Sequence, residues 1–204
     1  LHEGLQGLVM NEFTVPMALA DYVPVILFFL AARVLIKDLS DKMRSSAKYL
    51  FIAGVMLVCL AGFLKATYKL LYALNVGDFA WMSKQMFPNQ SIGFLLAGIG
   101  LMMYVLKKGR TYAFIPTMAL VGIMVVGLAA MDAGLCFIAT KLKRRNALVC
   151  FIVSFFMSLC MGYLSTRDFQ RASINWIAQF INIAGQALLY TGVNILHRAG
   201  LEKF

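Results

Sequence analysis

Long apolar runs alternate with short polar stretches along this chain of 204 residues. A helix that crosses a bilayer needs about 20 predominantly apolar residues. Applied along the chain, this rule predicts six spans. They are residues 14–36, 49–75, 91–106, 112–140, 147–164 and 173–196. We therefore predict an all-α fold: a polytopic integral membrane protein with one six-helix transmembrane bundle.

The stretch before the third predicted span has a mixed character. Its sequence, GDFAWMSKQMFPNQ, combines aromatic residues and methionines with polar residues. Such a composition is typical of a segment that lies at the membrane surface. We therefore predict an interfacial segment between the second and third spans.

Composition supports the membrane interpretation, since 61% of the residues are hydrophobic and only 14% are charged. The net charge of +10 comes from basic residues beside the predicted spans, where they set topology and meet anionic headgroups. We predict a lipid bilayer as the partner and no nucleic acid. The four cysteines lie within apolar runs without metal-ligand spacing, so we predict no metal site, and no cofactor is indicated.

The basic residues of the loops indicate the orientation only weakly. If successive spans alternate in direction, the first, third and fifth loops hold nine Lys and Arg residues and the opposite side holds seven. This count favours both termini outside a bacterial cytoplasmic membrane, although the run KLKRR at 141–145 points the other way. Met10 is a plausible native start, which would place residues 1–9 upstream of it.

Small residues recur at helical spacing in three of the predicted spans. These residues are Gly93, Ala97 and Gly100 in the third, Gly127, Ala130 and Gly134 in the fourth, and Ser154, Ser158 and Gly162 in the fifth. Small side chains let two membrane helices approach closely. We expect these faces to pack within the molecule, with a homodimer contact as the alternative.

A stripe of hydrogen-bonding side chains runs along the last predicted span. At 100° per residue its members fall within an arc of about 120°. They are Asn175, Gln179, Asn182, Gln186, Tyr190, Asn194 and His197. Lipid cannot satisfy these groups, so the stripe should face the bundle interior or a watery cavity. We expect Asn175 and Gln179 to join helices, and the other end of the stripe to contribute to a site.

Charged residues inside the spans indicate where that site lies. Lys65 and Lys69 are about 15 and 9 Å deep, counted from the end of the second span. With alternating spans, Asp21 and Asp132 lie about 10 and 13 Å from the same membrane face, and Gln186 and Tyr190 about 16 and 10 Å. We expect Lys65 to pair with Asp21 or Asp132, whereas Lys69 either does the same or extends to the headgroups.

The expected function is the binding or transport of a small polar or anionic solute in a charged cavity, by a transporter or membrane sensor. The predicted ligand-binding residues are Lys65, Lys69, Asp21, Asp132, Tyr68, Tyr72, Asn182, Gln186, Tyr190 and Asn194. The lysines would attract the anion, and the phenols and amides would orient it.

Two alternatives come from other classes of protein. One is an intramembrane enzyme that acts on a lipid-like substrate through Asp21 and Asp132, although two nearby lysines would keep both carboxylates ionised. The sequence contains no familiar set of catalytic residues, so we lean against an enzyme. The other alternative is a non-catalytic membrane subunit or scaffold, whose polar groups only hold helices together.

Overall fold

The computed structural model describes residues 14–77, 79–106, 120–164 and 172–204. Within these ranges the chain forms eight α-helices, a 3₁₀ turn at Leu201–Lys203 and no strand. The helices are α1 (Val15–Ala20), α2 (Tyr22–Leu39), α3 (Ser45–Ala73), α4 (Ala80–Lys84), α5 (Met86–Leu106), α6 (Leu120–Lys141), α7 (Arg145–Leu164) and α8 (Ala172–Arg198). The predicted all-α helical bundle is therefore confirmed.

Five segments of the described chain are long and apolar enough to cross a membrane. They are Val15–Leu39, Ser45–Ala73, Ala80–Leu106, Gly122–Lys141 and Arg145–Leu164. Helix α8 has 27 residues but is not among them, because its polar stripe lowers its mean hydropathy. The bundle fits an integral membrane protein, and the sixth crossing stays a prediction.

Several predictions fall wholly or partly outside the described residues. These are the region 1–9, the start of the fourth span at 112–119, and the loop residues Lys107, Lys108, Arg110, Arg167 and Arg171. The segment before the third span contains the short helix α4, and α5 begins at Met86 with Pro88 in its first turn. Proline is tolerated there because the first backbone N–H groups of a helix have no partner within it.

The first span is interrupted at Asp21, a single turn residue between α1 and α2. Pro24 follows three residues later and cannot donate a hydrogen bond to the carbonyl of Ala20. A proline favours a kink in the preceding turn, and we call the interruption the kink at Asp21. It places the Asp21 side chain where two helix segments meet.

Small residues bring α5 close to helices on both of its sides. A Cβ added to Gly54 of α3 would lie 2.3 Å from the backbone nitrogen of Ala97, and one added to Gly98 would lie 2.5 Å from the carbonyl oxygen of Gly127. These backbones are therefore in direct contact. The small-residue faces of the third and fourth predicted spans pack within the molecule, as expected.

The direction of α6 differs from the prediction. Phe94 and Leu95 of α5 lie against Gly127 of α6, and Leu101 lies against Gly134. Both residue numbers increase along the contact, so α5 and α6 are parallel. The assumption that successive spans alternate is wrong at this point. Alternation requires each helix to begin at the end of the bundle where the previous helix ended, whereas α6 begins at the end where α5 also begins. The depths estimated for residues after α5 are wrong for the same reason.

One end of the bundle, which we call the His197 end, gathers the α2–α3 turn and the C-terminus. His197 Nδ1 lies 2.6 Å from Asp38 Oδ2, and the Lys42 ammonium donates a hydrogen bond of 3.3 Å to the carbonyl of Leu201. Because α6 is parallel to α5, the α6–α7 turn (142–144) also lies here. The opposite end, called the Asp21 end, contains α4 and the first turns of α6 and α8.

Candidate ligand-binding cavity

Two adjoining cavities lie in the half of the bundle next to the Asp21 end. Their volumes are about 310 and 90 Å³. They share a wall that includes Lys65, Lys69, Gln90, Asn175, Asn182 and Gln186. The kink at Asp21 and the first half of α8 face this space, so polar groups from α2, α3, α5 and α8 converge there.

A buried salt bridge joins Lys69 of the shared wall to Asp21, which lines only the smaller cavity. Lys69 Nζ lies 2.6 Å from Asp21 Oδ2, and the two side chains are only 7% and 9% exposed. The Tyr22 hydroxyl and the Thr67 hydroxyl form a hydrogen bond of 2.8 Å beside the pair, which ties the kink to α3. The predicted proximity of Asp21 to the lysines of the second span is confirmed.

The partner of Asp21 is Lys69, whereas the sequence favoured Lys65. Lys65 lines both cavities, and within the described chain it forms neither a hydrogen bond nor a salt bridge. The charges that act on it are those of Lys69 and Asp21. Lys69 lies one turn nearer the Asp21 end than Lys65 and therefore reaches the carboxylate at the kink.

Asp132 is not at this site, contrary to the prediction. It lines neither cavity, and because α6 is parallel to α5 it lies nine residues from the His197 end of α6. Its side chain is buried, and its Oδ1 atom has no hydrogen-bond partner among the described residues. The carboxylate pair required by the enzyme hypothesis, Asp21 with Asp132, is not assembled on these cavity walls.

The polar stripe of α8 faces the cavity with its first half, not its second. Asn182 and Gln186 line both cavities, as do the lysines. Tyr190 packs against the apolar core instead, and Asn194 donates a hydrogen bond of 3.1 Å to the Tyr190 carbonyl within the helix. The depth predicted for Tyr190 and Asn194 is wrong because α8 runs parallel to α2, which brings its first turns to the Asp21 end.

The two tyrosines of α3 are placed differently. Tyr68 lines the larger cavity, whereas Tyr72 lines neither of the two cavities. Their rings lie 6.2 Å apart between centroids, so Tyr72 packs beside Tyr68. Of the ten predicted site residues, six line the cavities: Asp21, Lys65, Tyr68, Lys69, Asn182 and Gln186.

Several cavity residues were not predicted as ligand contacts. Asn175 and Gln179 were assigned to helix association, and Ser158 to the small-residue face of α7. Gln90 follows Pro88 in α5, and the close contact of α5 with α3 brings it to the lysines. The small-residue face of the third predicted span, which indicates this close contact, was the sequence signal available for Gln90.

Two amide side chains keep hydrogen-bonding capacity: Gln186 on the shared wall and Gln179, which lines only the smaller cavity. Gln179 Nε2 and Gln186 Oε1 are buried without a partner among the described residues. An unmatched buried donor or acceptor costs about 1–3 kcal/mol, and a polar molecule in the cavity could satisfy it. The wall thus combines ammonium groups with amides that donate and accept.

The larger cavity also has an apolar part to its lining. It includes Phe94 of α5, Met124 and Leu128 of α6, and Met161 of α7. Methionine side chains adapt readily to the shape of what they contact. The larger cavity is therefore amphipathic, with its charge on α3 and its apolar surface on α5, α6 and α7.

Comparisons of the chain with protein-family models, curated proteins and solved structures found no significant match.

Proposed function

We propose that this protein binds a small anionic solute with an apolar part in the larger cavity, as a membrane transporter or sensor. One observation carries the proposal: the Lys65 side chain lines the cavity without a carboxylate partner in the described chain. Asp21, which lines only the smaller cavity, is already paired with Lys69, so the two cavities together are lined by two cations and one anion.

An uncompensated charge inside the bilayer is costly, and residues that carry one usually mark a ligand or ion pathway. An anion next to Lys65 would neutralise the excess charge and weaken its repulsion with Lys69. The amides of Asn182 and Gln186 would then fix the orientation of the anionic group by hydrogen bonds.

The size and the apolar wall of the cavity suggest the rest of the ligand. A volume of about 310 Å³ lies at the lower end of the range for small-molecule sites, which is about 300–1,000 Å³. Phe94, Met124 and Leu128 provide a surface for a hydrocarbon or ring portion of that size. A carboxylate or phosphate with a short apolar chain satisfies both parts of the lining.

Binding can be tested on purified protein in detergent with octanoate as the probe and octanol as its neutral counterpart. We expect octanoate to raise the melting temperature and octanol to have little effect. Lys65→Met should abolish the octanoate effect while the protein stays folded and monodisperse. Lys84→Met is the matched control, because Lys84 is exposed on α4 at the same end of the bundle and lines neither cavity.

An octanoate effect that is equal in the Lys65→Met and control proteins would overturn the proposal. The subunit or scaffold alternative would be favoured by three results together. Octanoate and octyl phosphate would leave the melting temperature unchanged, and native mass spectrometry would find no co-purified anion.

A further inference from the structure

The Lys and Arg residues that the structure describes are divided unequally between the two ends of the bundle. Arg33 is exposed within α2, six residues before the end of that helix. Ten others lie at the His197 end: Lys37, Lys42, Arg44, Lys48, Lys141, Lys143, Arg144, Arg145, Arg198 and Lys203. At the Asp21 end the described chain has only Lys84, apart from the two lysines of the cavity.

Acidic residues do not cancel this charge. Among the described residues of the His197 end, Asp38 is buried against His197, and only Asp41 and Glu202 are exposed. Nine of the ten basic residues are exposed, so this end presents a basic collar around the bundle.

The parallel packing of α5 and α6 accounts for the difference from the sequence-based count. Alternating spans would place the run 141–145 opposite the α2–α3 turn. In the structure both turns lie at the His197 end, so their basic residues add instead of cancelling.

Both ends carry exposed aromatic residues: Tyr49 lies near the start of α3 at the His197 end, and three more lie at the Asp21 end. Phe79, Trp81 and Phe87 are exposed around α4, as expected of side chains at a membrane–water interface. Aromatic residues are enriched at both faces of a membrane protein, so it is the basic charge that distinguishes the two ends.

We propose that the His197 end faces the cytoplasm, where its basic collar contacts anionic lipid headgroups, and that the cavity lies in the half of the bilayer away from the cytoplasm. The warrant is the strong excess of Lys and Arg in cytoplasmic loops, which sets the orientation of membrane proteins. Anionic lipid in that leaflet attracts basic segments near the membrane surface.

This orientation determines the side of the membrane from which the solute reaches the cavity. That consequence rests on the proposed function. Lys65 would receive an anion from the extracytoplasmic side. The orientation itself does not depend on ligand binding.

The test is cysteine labelling in intact bacterial cells, with the four native cysteines replaced by alanine. Single cysteines are introduced as Ser46→Cys and Asn146→Cys at the His197 end and as Gln85→Cys at the Asp21 end, all at exposed positions. With a membrane-impermeant maleimide, we expect labelling of Gln85→Cys in intact cells. Ser46→Cys and Asn146→Cys should not be labelled in intact cells and should be labelled after permeabilisation.

Labelling of Ser46→Cys and Asn146→Cys from outside would overturn the proposed orientation. If those two variants were labelled from opposite sides, the parallel packing on which the basic collar depends would be refuted. Octanoate binding in detergent is unaffected by orientation, so failure of one proposal is distinguishable from failure of the other.

Discussion

The two halves of the bundle are built largely from the same helices but differ in how they are packed. In the His197 half, Leu39, Leu101, Ile138 and Leu196 are fully buried in a continuous apolar core. In the Asp21 half the helices separate around two cavities lined by charges and amides. Close packing therefore stabilises one half, whereas the other half contains open space lined by polar groups.

Helix α3 shows how one element serves both halves. Ala47, Phe51 and Val55, toward its beginning, are buried in the core. Lys65, Tyr68 and Lys69, toward its end, line the cavity. Gly54, within the first set, holds α3 against α5 and limits where the helices can diverge.

The largest expected effect comes from deleting core volume in the His197 half. Leu101→Ala removes a fully buried side chain between α5 and α6, and such changes cost about 2–5 kcal/mol. Leu128→Ala is the matched change in the Asp21 half, where the side chain borders the cavity and loses fewer contacts. We expect the melting temperature in detergent to fall more for Leu101→Ala.

Octanoate affinity provides a second test of the difference between the two halves. Leu128→Ala should alter octanoate affinity because it changes a cavity wall, whereas Leu101→Ala should leave that affinity unchanged at temperatures where the variant is folded. Equal loss of stability in both variants would mean that the halves are packed equally well.

Breaking the salt bridge in the Asp21 half should have the next largest effect. Asp21→Asn leaves Lys69 as a second buried cation without its carboxylate, which we expect to cost about 3 kcal/mol. The double variant Asp21→Asn with Lys69→Met removes both charges and should recover most of that loss. The melting temperatures of the single and double variants measure the difference, and no recovery would indicate that the pair contributes through packing alone.

The helices and the Asp21–lysine site could largely be predicted from the sequence because they depend on local features. Apolar run length indicates a helix, Pro24 marks the kink, and α1, α2 and α3 are consecutive, so depth could be counted along them. Glycines at helical spacing likewise predicted close packing, because this pattern can be recognised on a single helix face.

The remaining site residues could not be predicted because they depend on the direction in which non-consecutive helices associate. Asn175 and Tyr190 lie on the same stripe, and only the parallel packing of α8 with α2 decides which of them meets the lysines. Asp132 was misplaced for the corresponding reason in α6. The sequence pattern is the same for either direction, so the contacts between helices had to supply the answer.

The smallest expected effect, and the one with the opposite sign, comes from Lys65→Met. Lys65 has no partner in the described chain and lies close enough to Lys69 for the two charges to repel. Replacing it with an apolar side chain of similar length should stabilise the protein without ligand by about 1 kcal/mol, or a rise of about 2–4 °C in melting temperature. Asp21→Asn and Lys65→Met would then shift stability in opposite directions although they alter neighbouring charges. A loss of stability in Lys65→Met comparable to that of Asp21→Asn would show that Lys65 is a structural partner in the Asp21 half, and it would remove the reason to expect an anion there.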